Sequence, residues 1–331
     1  MCSIQLGRRE FITLIGGAAA TWPLTARAQP QAMPVIGYVA EGTIKLVKSP
    51  AGVSKGLAEH GFVEGQNFRF EGREANFHPD LVPNLFRELV DQKVSVIIAL
   101  TALQLRSAKA ATQSIPIVFS IGIDPVESGF VASFNKPGGN ITGISNLNVM
   151  LADKRIQMLH ELIPSATKFA YLTDPGNVYL TGLQLPQVQA AADSLGLSVL
   201  NVYAHTRDEL EGAFETAVRG GAGGMVIGTD LIFYVFYSQL VALADRYRLP
   251  AMYMDPSFVI AGGLISYSPD LLDITRLMGN YVGRILKGEK PADIPVQQST
   301  RTKLMINLKT AAAMGITVPI PLLGRADEVI E

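Results

Sequence analysis

Several apolar segments of this 331-residue chain end directly at an aspartate, and amphipathic segments lie between them. Four of these ends are Asp124, Asp174, Asp230 and Asp255. Unbroken apolar runs are typical of parallel strands buried on both faces, and the amphipathic segments are typical of helices that cover the sheet. The chain is therefore predicted to be α/β, with doubly wound parallel sheets.

Short apolar runs mark the candidate strands. They are 34–40, 67–71, 94–100, 115–123, 168–173, 197–203, 224–229, 249–254 and 264–268. The helical patterns between them include 206–221, in which Thr206 and Glu209 have the spacing of a capping box. Another helical pattern covers 271–287 and is followed by a glycine, which predicts that the helix ends there.

Two parts of the chain repeat the same order of elements. Both 96–129 and 225–263 run from a strand to a helix, then through a proline to a second strand and an Asp-Pro pair. This repetition predicts two lobes of similar winding. We expect an N-terminal lobe of 33–145 with about 270–298, and a C-terminal lobe of 146–269 with about 299–331.

Two roles are open to the strand-end aspartates. Each can accept hydrogen bonds from the first turn of the next helix, where a following proline has no N–H to leave unpaired. Ligands of open α/β sheets also bind beyond the carboxyl ends of the strands, where these side chains lie. Capping is the more frequent role, and Asp230 is the best ligand candidate because no proline follows it.

The same ends of the strands carry other groups suited to a small ligand. Helix N-termini predicted at Thr101 and Asn177 would favour a carboxylate. Aromatic residues could form the apolar walls of a cleft, although such residues at helical spacing more often pack in the core. These aromatic residues are Phe233, Tyr234, Phe236, Tyr237, Tyr253 and Tyr267. With an aspartate for an amine, the set predicts an amino acid or a small aromatic acid as ligand.

The first 28 residues are predicted to be a twin-arginine signal peptide. Arg8-Arg9 precedes an apolar stretch from Phe11 to Leu24 that is too short to span a bilayer. Ala26-Arg27-Ala28 has the form of a cleavage site. We expect cleavage near Ala28 and a soluble periplasmic protein, because no run of 18 apolar residues follows. An uncleaved anchor is the alternative.

Composition argues against several classes of function. Cys2 is the only cysteine and lies within the predicted signal, so the mature chain would have no thiol. Cleavage would remove three basic residues and one acidic residue, changing the formal net charge from −1 to −3, which does not suggest a nucleic-acid partner. The four histidines lack metal-binding spacing, and no Walker A sequence is present. We predict no catalytic residue, no cofactor and no metal site.

Longer motifs resemble a known family. They are "RREFITLIGGAAATWPL", "MPVIGYV", "GLAEHGFVEGQNFRFEGREA", "IPIVFSIGIDPVESGFVASFNKPGGNITGIS", "YVGRILKGEKPADIPVQQST", "INLKTAAAMGITVP" and "LLGRADEVIE". Together they resemble the bacterial ABC-transporter substrate-binding proteins of the tryptophan/aromatic amino acid-binding type, over nearly the whole chain. The resemblance implies a type I periplasmic-binding fold, in which three crossings join two lobes that close on a small solute. It also implies a membrane permease and an ATPase as partners, and we expect a monomer.

The resemblance also implies which residues line the cleft, and Tyr253 joins them from the aromatic set. The predicted ligand-binding residues are Glu41, Thr43, Thr101, Ala102, Asp124, Ser145, Asn177, Thr229, Asp230, Tyr253 and Asp255. The chain departs from the family in two loops. It has "AEGTIKL" where many relatives have a Ser/Gly-rich loop, and "TALQL" where many have Thr-Pro. Both changes remove donors for a carboxylate and favour a less polar aromatic acid or another solute.

Two other functions remain as alternatives. The chain could be an exported enzyme on a similar fold, which would need a reactive group that the motifs do not reveal. It could also be a sensory partner that carries a ligand signal to a membrane receptor. A solute-binding protein of an ABC importer, with no catalysis, is the leading hypothesis.

Overall fold

Two sheets organise the chain in this computed structural model, which describes residues 33–41 and 51–331. The predicted signal peptide and Thr43 lie outside the described residues. Residues 34–331 form one compact unit. No helix within the described residues is long and apolar enough to cross a membrane.

The first sheet consists of six strands. They are β1 (Val35–Ala40), β2 (Arg69–Glu74), β3 (Val96–Ala99), β4 (Ile117–Ile121), β5 (Ile141–Ser145) and β11 (Gln297–Gln298). Their order is β11-β5-β4-β3-β1-β2, and every pair is parallel. The carboxyl ends of these strands therefore all lie at one edge of the sheet.

The second sheet consists of seven strands. They are β6 (Lys168–Thr173), β7 (Ser198–Tyr203), β8 (Met225–Ile227), β9 (Ala251–Tyr253), β10 (Ile265–Pro269), β12 (Thr302–Asn307) and β13 (Glu328–Ile330). Their order is β13-β12-β10-β9-β8-β6-β7. All pairs are parallel except β10 with β12, which is antiparallel. The two sheets confirm the predicted α/β class, with one exception to parallel pairing.

Helices connect the strands. They are α1 (Ala51–Ala58), α2 (Val82–Asp91), α3 (Ala102–Ala111), α4 (Ala152–Leu162), α5 (Val178–Ser194), α6 (Glu209–Arg219), α7 (Leu231–Val235), α8 (Tyr237–Arg246), α9 (Pro256–Ile260), α10 (Leu271–Leu286), α11 (Leu308–Ala313) and α12 (Ile320–Leu323). Short 3-10 turns cover Pro79–Leu81, Asn148–Leu151 and Pro291–Asp293.

Helices bury both faces of each sheet, as the continuous apolar strands require. On the first sheet, α2 and α3 cover one face through residues such as Phe86 and Leu105, while α1 and α10 cover the other. On the second sheet, α6, α8 and α9 cover one face and α4 and α5 cover the other. Each fully buried Leu, Ile or Phe side chain contributes about 1.5–3 kcal/mol to these layers.

The chain passes between the sheets three times. It crosses after β5, returns after β10, and crosses again after β11. During the return, α10 packs on the first sheet through Ile274, Met278 and Val282. Only residues 299–301 separate β11 from β12. These three crossings agree with the fold implied by the family resemblance, while the exact lobe boundaries stay a prediction.

Helices α1 and α10 approach closely because glycines lie at their contact. A Cβ atom added at Gly279 would lie 2.0 Å from the carbonyl oxygen of Val53, and one at Gly56 would lie 1.9 Å from that of Arg276. Both distances are far below van der Waals contact. A glycine is therefore required at each position for the two helices to pack as they do.

The structure corrects several local predictions. Helix α6 begins at Glu209 rather than near Thr206, and its N-cap is Asp208; the Glu209 carboxylate accepts a hydrogen bond from the His205 N–H at 2.7 Å. Asp124 is followed by a turn rather than a helix, although its Oδ1 still accepts the Val126 N–H at 2.7 Å. Strands β5, β11, β12 and β13 were absent from the candidates, because they are short or mix polar with apolar residues.

Candidate functional site

Three side chains form a polar cluster at the carboxyl edge of the first sheet. Glu41 directly follows β1, and Thr101 caps α3 by accepting the Gln104 N–H at 3.2 Å. The Thr101 hydroxyl and the Gln104 amide both donate to Oε1 of Glu41, the amide at 2.9 Å. The predicted helix start at Thr101 is confirmed. Gln104 is the member that the sequence did not reveal, because a buried glutamine in the first turn of a helix has no distinctive pattern.

The other predicted residues of the first lobe differ in their exposure. Ala102 is the first residue of α3 and is half-buried. Asp124 follows β4 and is half-buried, with its Oδ1 held by the N–H groups of Val126 and Glu127. Ser145 ends β5 and is fully buried. Asp124 therefore presents a carboxylate at this edge, whereas Ser145 contributes to the sheet itself.

A matching pair lies at the carboxyl edge of the second sheet. Asn177 caps α5 by accepting the Leu180 N–H at 3.2 Å, as predicted. Its side-chain amide donates to Oδ2 of Asp230 at 2.8 Å. The other carboxylate oxygen of Asp230 caps α7 by accepting the Ile232 N–H at 3.3 Å. Two predicted site residues are thus in direct contact.

A second acid supports the loop that carries Asn177. Oδ1 of Asp174 accepts the Gly176 N–H at 2.7 Å and contacts Nδ1 of His205 at 2.8 Å. The hydrogen bond with Asp174 raises the pKa of His205, whose side chain is 59% exposed. Asp174 itself is almost fully buried. This pair fixes the turn between β6 and α5.

Asp255 and Tyr253 have different surroundings at the end of β9. Asp255 caps α9 by accepting the Ser257 N–H at 2.8 Å and is 7% exposed. Tyr253 is fully buried in the core, where its ring stacks on Phe258 with centroids 4.8 Å apart. Phe233 is also fully buried in that core, and Tyr234 packs against it. Most of the aromatic residues considered as cleft walls therefore pack inside the second lobe.

A buried arginine that the sequence did not single out lies beneath this edge. Arg155, in α4, has no solvent-exposed surface. Its guanidinium donates to the Tyr267 carbonyl oxygen at 2.9 Å, to the Asn148 carbonyl oxygen at 3.1 Å, and to the Thr229 hydroxyl at 2.8 Å. It also donates to Oδ1 of Asn148. Arg155 thus joins the first crossing, the turn after β8 and the middle of β10.

Two further side chains extend this network. The amide of Gln184 brackets the backbone of Thr229, accepting its N–H at 2.7 Å and donating to its carbonyl oxygen at 3.1 Å. The Asn148 amide donates to the Tyr234 hydroxyl at 3.0 Å. The backbone that leads into Asp230 is therefore held by hydrogen bonds from both sides.

The carboxyl edges of the two sheets meet. The hydroxyl groups of Ser128, after β4, and Tyr179, in the first turn of α5, are 3.2 Å apart. Leu180 and Leu183 of α5 pack against the core of the first sheet. The Glu41 cluster and the Asn177–Asp230 pair are consequently carried by edges that face each other.

Burial changes the acidity of the carboxylates at these edges. It raises the pKa of Glu41, an effect that the hydrogen bonds from Thr101 and Gln104 oppose. Burial also raises the pKa of Asp230, and the nearby charge of Asp174 adds to the increase. The pKa of Asp255 is raised by burial as well. Each of these carboxylates would gain from a cationic partner, which would stabilise its charged form.

Within the described residues, no group of three or more His, Cys, Asp or Glu side chains has the geometry of a metal site. The acids described above instead contact backbone N–H groups, amide side chains, the Thr101 hydroxyl and the His205 ring. The arrangement suits recognition of a small polar molecule by hydrogen bonds and charge.

Comparison with known proteins gives matches along most of the chain. The family model described as "ABC transporter substrate binding protein" matches residues 39–330. A tyrosine-binding protein of Clostridioides difficile is 25% identical over 269 residues, which are 81% of this chain and 77% of the relative.

Solved structures share the fold. A conserved domain protein of Vibrio cholerae superposes with a TM-score of 0.80 at 23% identity. An ABC domain of Streptococcus pneumoniae in complex with L-Trp gives 0.78 at 24%, and the ligand-free, open structure of a Clostridium difficile substrate-binding protein gives 0.67 at 22%. Each comparison covers 90% of this chain and 99% of the other.

Proposed function

Because the chain belongs to the family of ABC transporter substrate-binding proteins, we propose that it captures an amino acid between its two facing sheet edges. The family assignment confirms the resemblance seen in the sequence motifs. It also places the chain among binding proteins rather than enzymes, as predicted.

The observation that carries the proposal is the pairing of polar clusters across the two edges. Glu41 with Thr101 and Gln104 lies on one edge, and Asn177 with Asp230 lies on the other. In open α/β folds, ligands bind beyond the carboxyl ends of the strands. A ligand held by both clusters would favour the closed arrangement of the lobes, because only that arrangement makes both sets of contacts at once.

An aromatic amino acid is the proposed ligand class. The tyrosine-binding relative and the L-Trp complex support this class by their names. Asp230 and Glu41 supply carboxylates for an amine. Of the other predicted residues, Thr101, Asn177, Thr229, Asp124 and Asp255 stay in the proposed site, whereas we give Tyr253 and Ser145 a structural role because both are fully buried.

We further propose that the protein works in the periplasm. The predicted signal of residues 1–28 would bring it there, and the loaded form would deliver its solute to a membrane permease driven by an ATPase. The family description supports the link to an ABC transporter. A monomeric state is part of this proposal.

Mass spectrometry of solutes released from purified protein would test the proposal, followed by thermal-shift measurements with amino acids and aromatic acids. A bound ligand stabilises the folded state in proportion to the logarithm of its concentration over Kd. We expect an aromatic amino acid to be released unchanged and to raise Tm. Release of a chemically altered molecule, or no shift with any amino acid, would refute the proposal.

A further inference from the structure

Arg155 is a buried positive charge without an acidic partner in contact. Its guanidinium donates to four acceptor atoms, all of them uncharged, on Asn148, Thr229 and Tyr267. Within the described chain, no carboxylate forms an ion pair with it. Asp153 and Asp255 interact with its charge only at longer range. A buried charge is costly unless it is compensated, so a positive charge kept here requires an explanation.

The position of Arg155 places this charge directly behind the candidate site. Its contact Thr229 ends the turn after β8 and precedes Asp230. The Thr229 hydroxyl oxygen accepts a hydrogen bond from Arg155, so the proton of that hydroxyl points away from the guanidinium and can be donated to another group. The described residues offer it the Asn148 carbonyl oxygen at 3.5 Å, which is long for a hydroxyl hydrogen bond. The hydroxyl can therefore donate to a ligand anion while the guanidinium supports it from behind.

The other charges near the facing edges are mostly negative. Glu41, Asp124, Asp174, Asp230 and Asp255 follow strands of the two sheets. They suit an amine but would repel a carboxylate, and the repulsion would be strong where water is excluded. An amino acid carries both groups. A cleft built from these acids alone would therefore prefer the amine without the carboxylate.

We propose that Arg155 is the positioning charge that lets this cleft hold a ligand carboxylate, acting through the Thr229 hydroxyl. An amino acid then lies with its carboxylate toward Thr229 and its amine toward Asp230 and Glu41. The inference rests on the proposed function and adds the orientation of the ligand and the origin of its charge selectivity.

Matched ligand pairs isolate this effect. L-tyrosine and tyramine, like L-tryptophan and tryptamine, differ only by the α-carboxylate. Isothermal titration calorimetry would give the ratio of the two Kd values within each protein variant, so that any loss of stability common to both ligands cancels. The variants are Arg155→Met, which removes the charge at similar length, and Arg155→Lys, which keeps it. Arg246→Met removes an exposed arginine, 65% exposed, and serves as the control.

The wild-type protein should bind the amino acid more tightly than the amine. Arg155→Met should reduce this preference by about tenfold, the order of effect expected for one unit charge several ångströms away in a partly buried site. Arg155→Lys should retain most of the preference, and Arg246→Met all of it. Thr229→Val, which keeps the arginine but removes the hydroxyl, should also reduce the preference and provides a second route if Arg155→Met does not fold.

Three outcomes would overturn the inference. The first is an unchanged ratio in the variants at Arg155 and Thr229. The second is a wild-type protein that binds the amine as tightly as the amino acid; both of these leave the proposed function intact. The third is a wild-type protein that binds none of the four probes and releases no amino acid, which removes the proposed function together with the inference.

Discussion

Replacing Arg155 by methionine should lower the stability of the fold measurably. The substitution removes four hydrogen bonds and leaves their acceptors on Asn148, Thr229 and Tyr267 in a water-poor environment. A buried acceptor left without a donor costs about 1–3 kcal/mol. Thr229 and Asn148 are close enough to re-pair, since the Thr229 hydroxyl already lies 3.5 Å from the Asn148 carbonyl oxygen. That leaves roughly two unpaired acceptors, or about 2–6 kcal/mol.

The substitution also makes a favourable contribution to the stability of the fold, because the guanidinium no longer has to be removed from water. This gain offsets part of the loss, so we expect a net decrease of about 3 kcal/mol in the free energy of unfolding. At about 2 °C per kcal/mol for a chain of this size, Tm should fall by roughly 6 °C. Differential scanning calorimetry and urea denaturation would measure both quantities.

The matched control is Arg246→Met, which removes a guanidinium 5.5 Å from the centroid of the Tyr247 ring and breaks an exposed ion pair with Glu211. Such a pair contributes about 0–1 kcal/mol, so Tm should change by no more than about 2 °C. If Arg155→Met were as stable as the control, or more stable than the wild type, the network around Arg155 would not hold the fold together. The reasoning from its hydrogen bonds would then be wrong.

Three other predictions concern separate parts of the molecule. Asp230→Asn keeps the cap on α7 but removes the charge, so calorimetry should show that an amine-bearing ligand binds about tenfold or more weakly. Asp91 is an exposed acid at the opposite edge of the first sheet, so Asp91→Asn should leave the affinity for the ligand unchanged. Equal affinities in the two variants would remove Asp230 from the site. Because the contact with Asp174 raises the pKa of His205, its contribution to stability is fully present below pH of about 6.5 and is lost as the pH rises through the pKa in the folded state. His205→Asn should therefore flatten the dependence of Tm on pH in that window, and an unaltered slope would contradict this account. Gly279→Ala should lower the free energy of unfolding by about 1–3 kcal/mol, because its Cβ would meet the Val53 carbonyl oxygen. Gly182→Ala, at a position where α5 has open space, should raise the free energy of unfolding by up to about 1 kcal/mol. A similar decrease in both variants would show that close packing of α1 and α10 is not the cause.

The sequence predicted the parts of the fold that depend on local patterns. The buried strands have continuous apolar runs, and Thr101 and Asn177 cap helices as their residue types suggest. Asp230 was expected to cap a helix or to face a ligand, and it caps α7 while also accepting from Asn177. Local spacing is sufficient to predict the helix caps, because each cap and its partner are only two or three residues apart.

The features that the sequence did not reveal depend on distant partners. Arg155 lies in a helix between ordinary charged residues, and its burial follows from contacts with Thr229 and Tyr267, which are 74 and 112 residues away. Strand β5 contains a glycine and two hydroxyl residues, and only its pairing with β4 and β11 makes it part of the sheet. Tyr253 was a candidate for the cleft because of its position, but its ring lies on the face of the sheet that packs in the core, where it stacks on Phe258.

The late return of the chain to its first sheet has a consequence for biosynthesis. Until residues 271–298 have left the ribosome, Ile36, Ile98 and Val118 lack α10, one of the two helices that cover them, and β5 lacks its outer neighbour. The amino-terminal half must therefore wait, partly uncovered, for almost the whole polypeptide to be made. Exposed apolar surface of this kind promotes aggregation in partly folded chains.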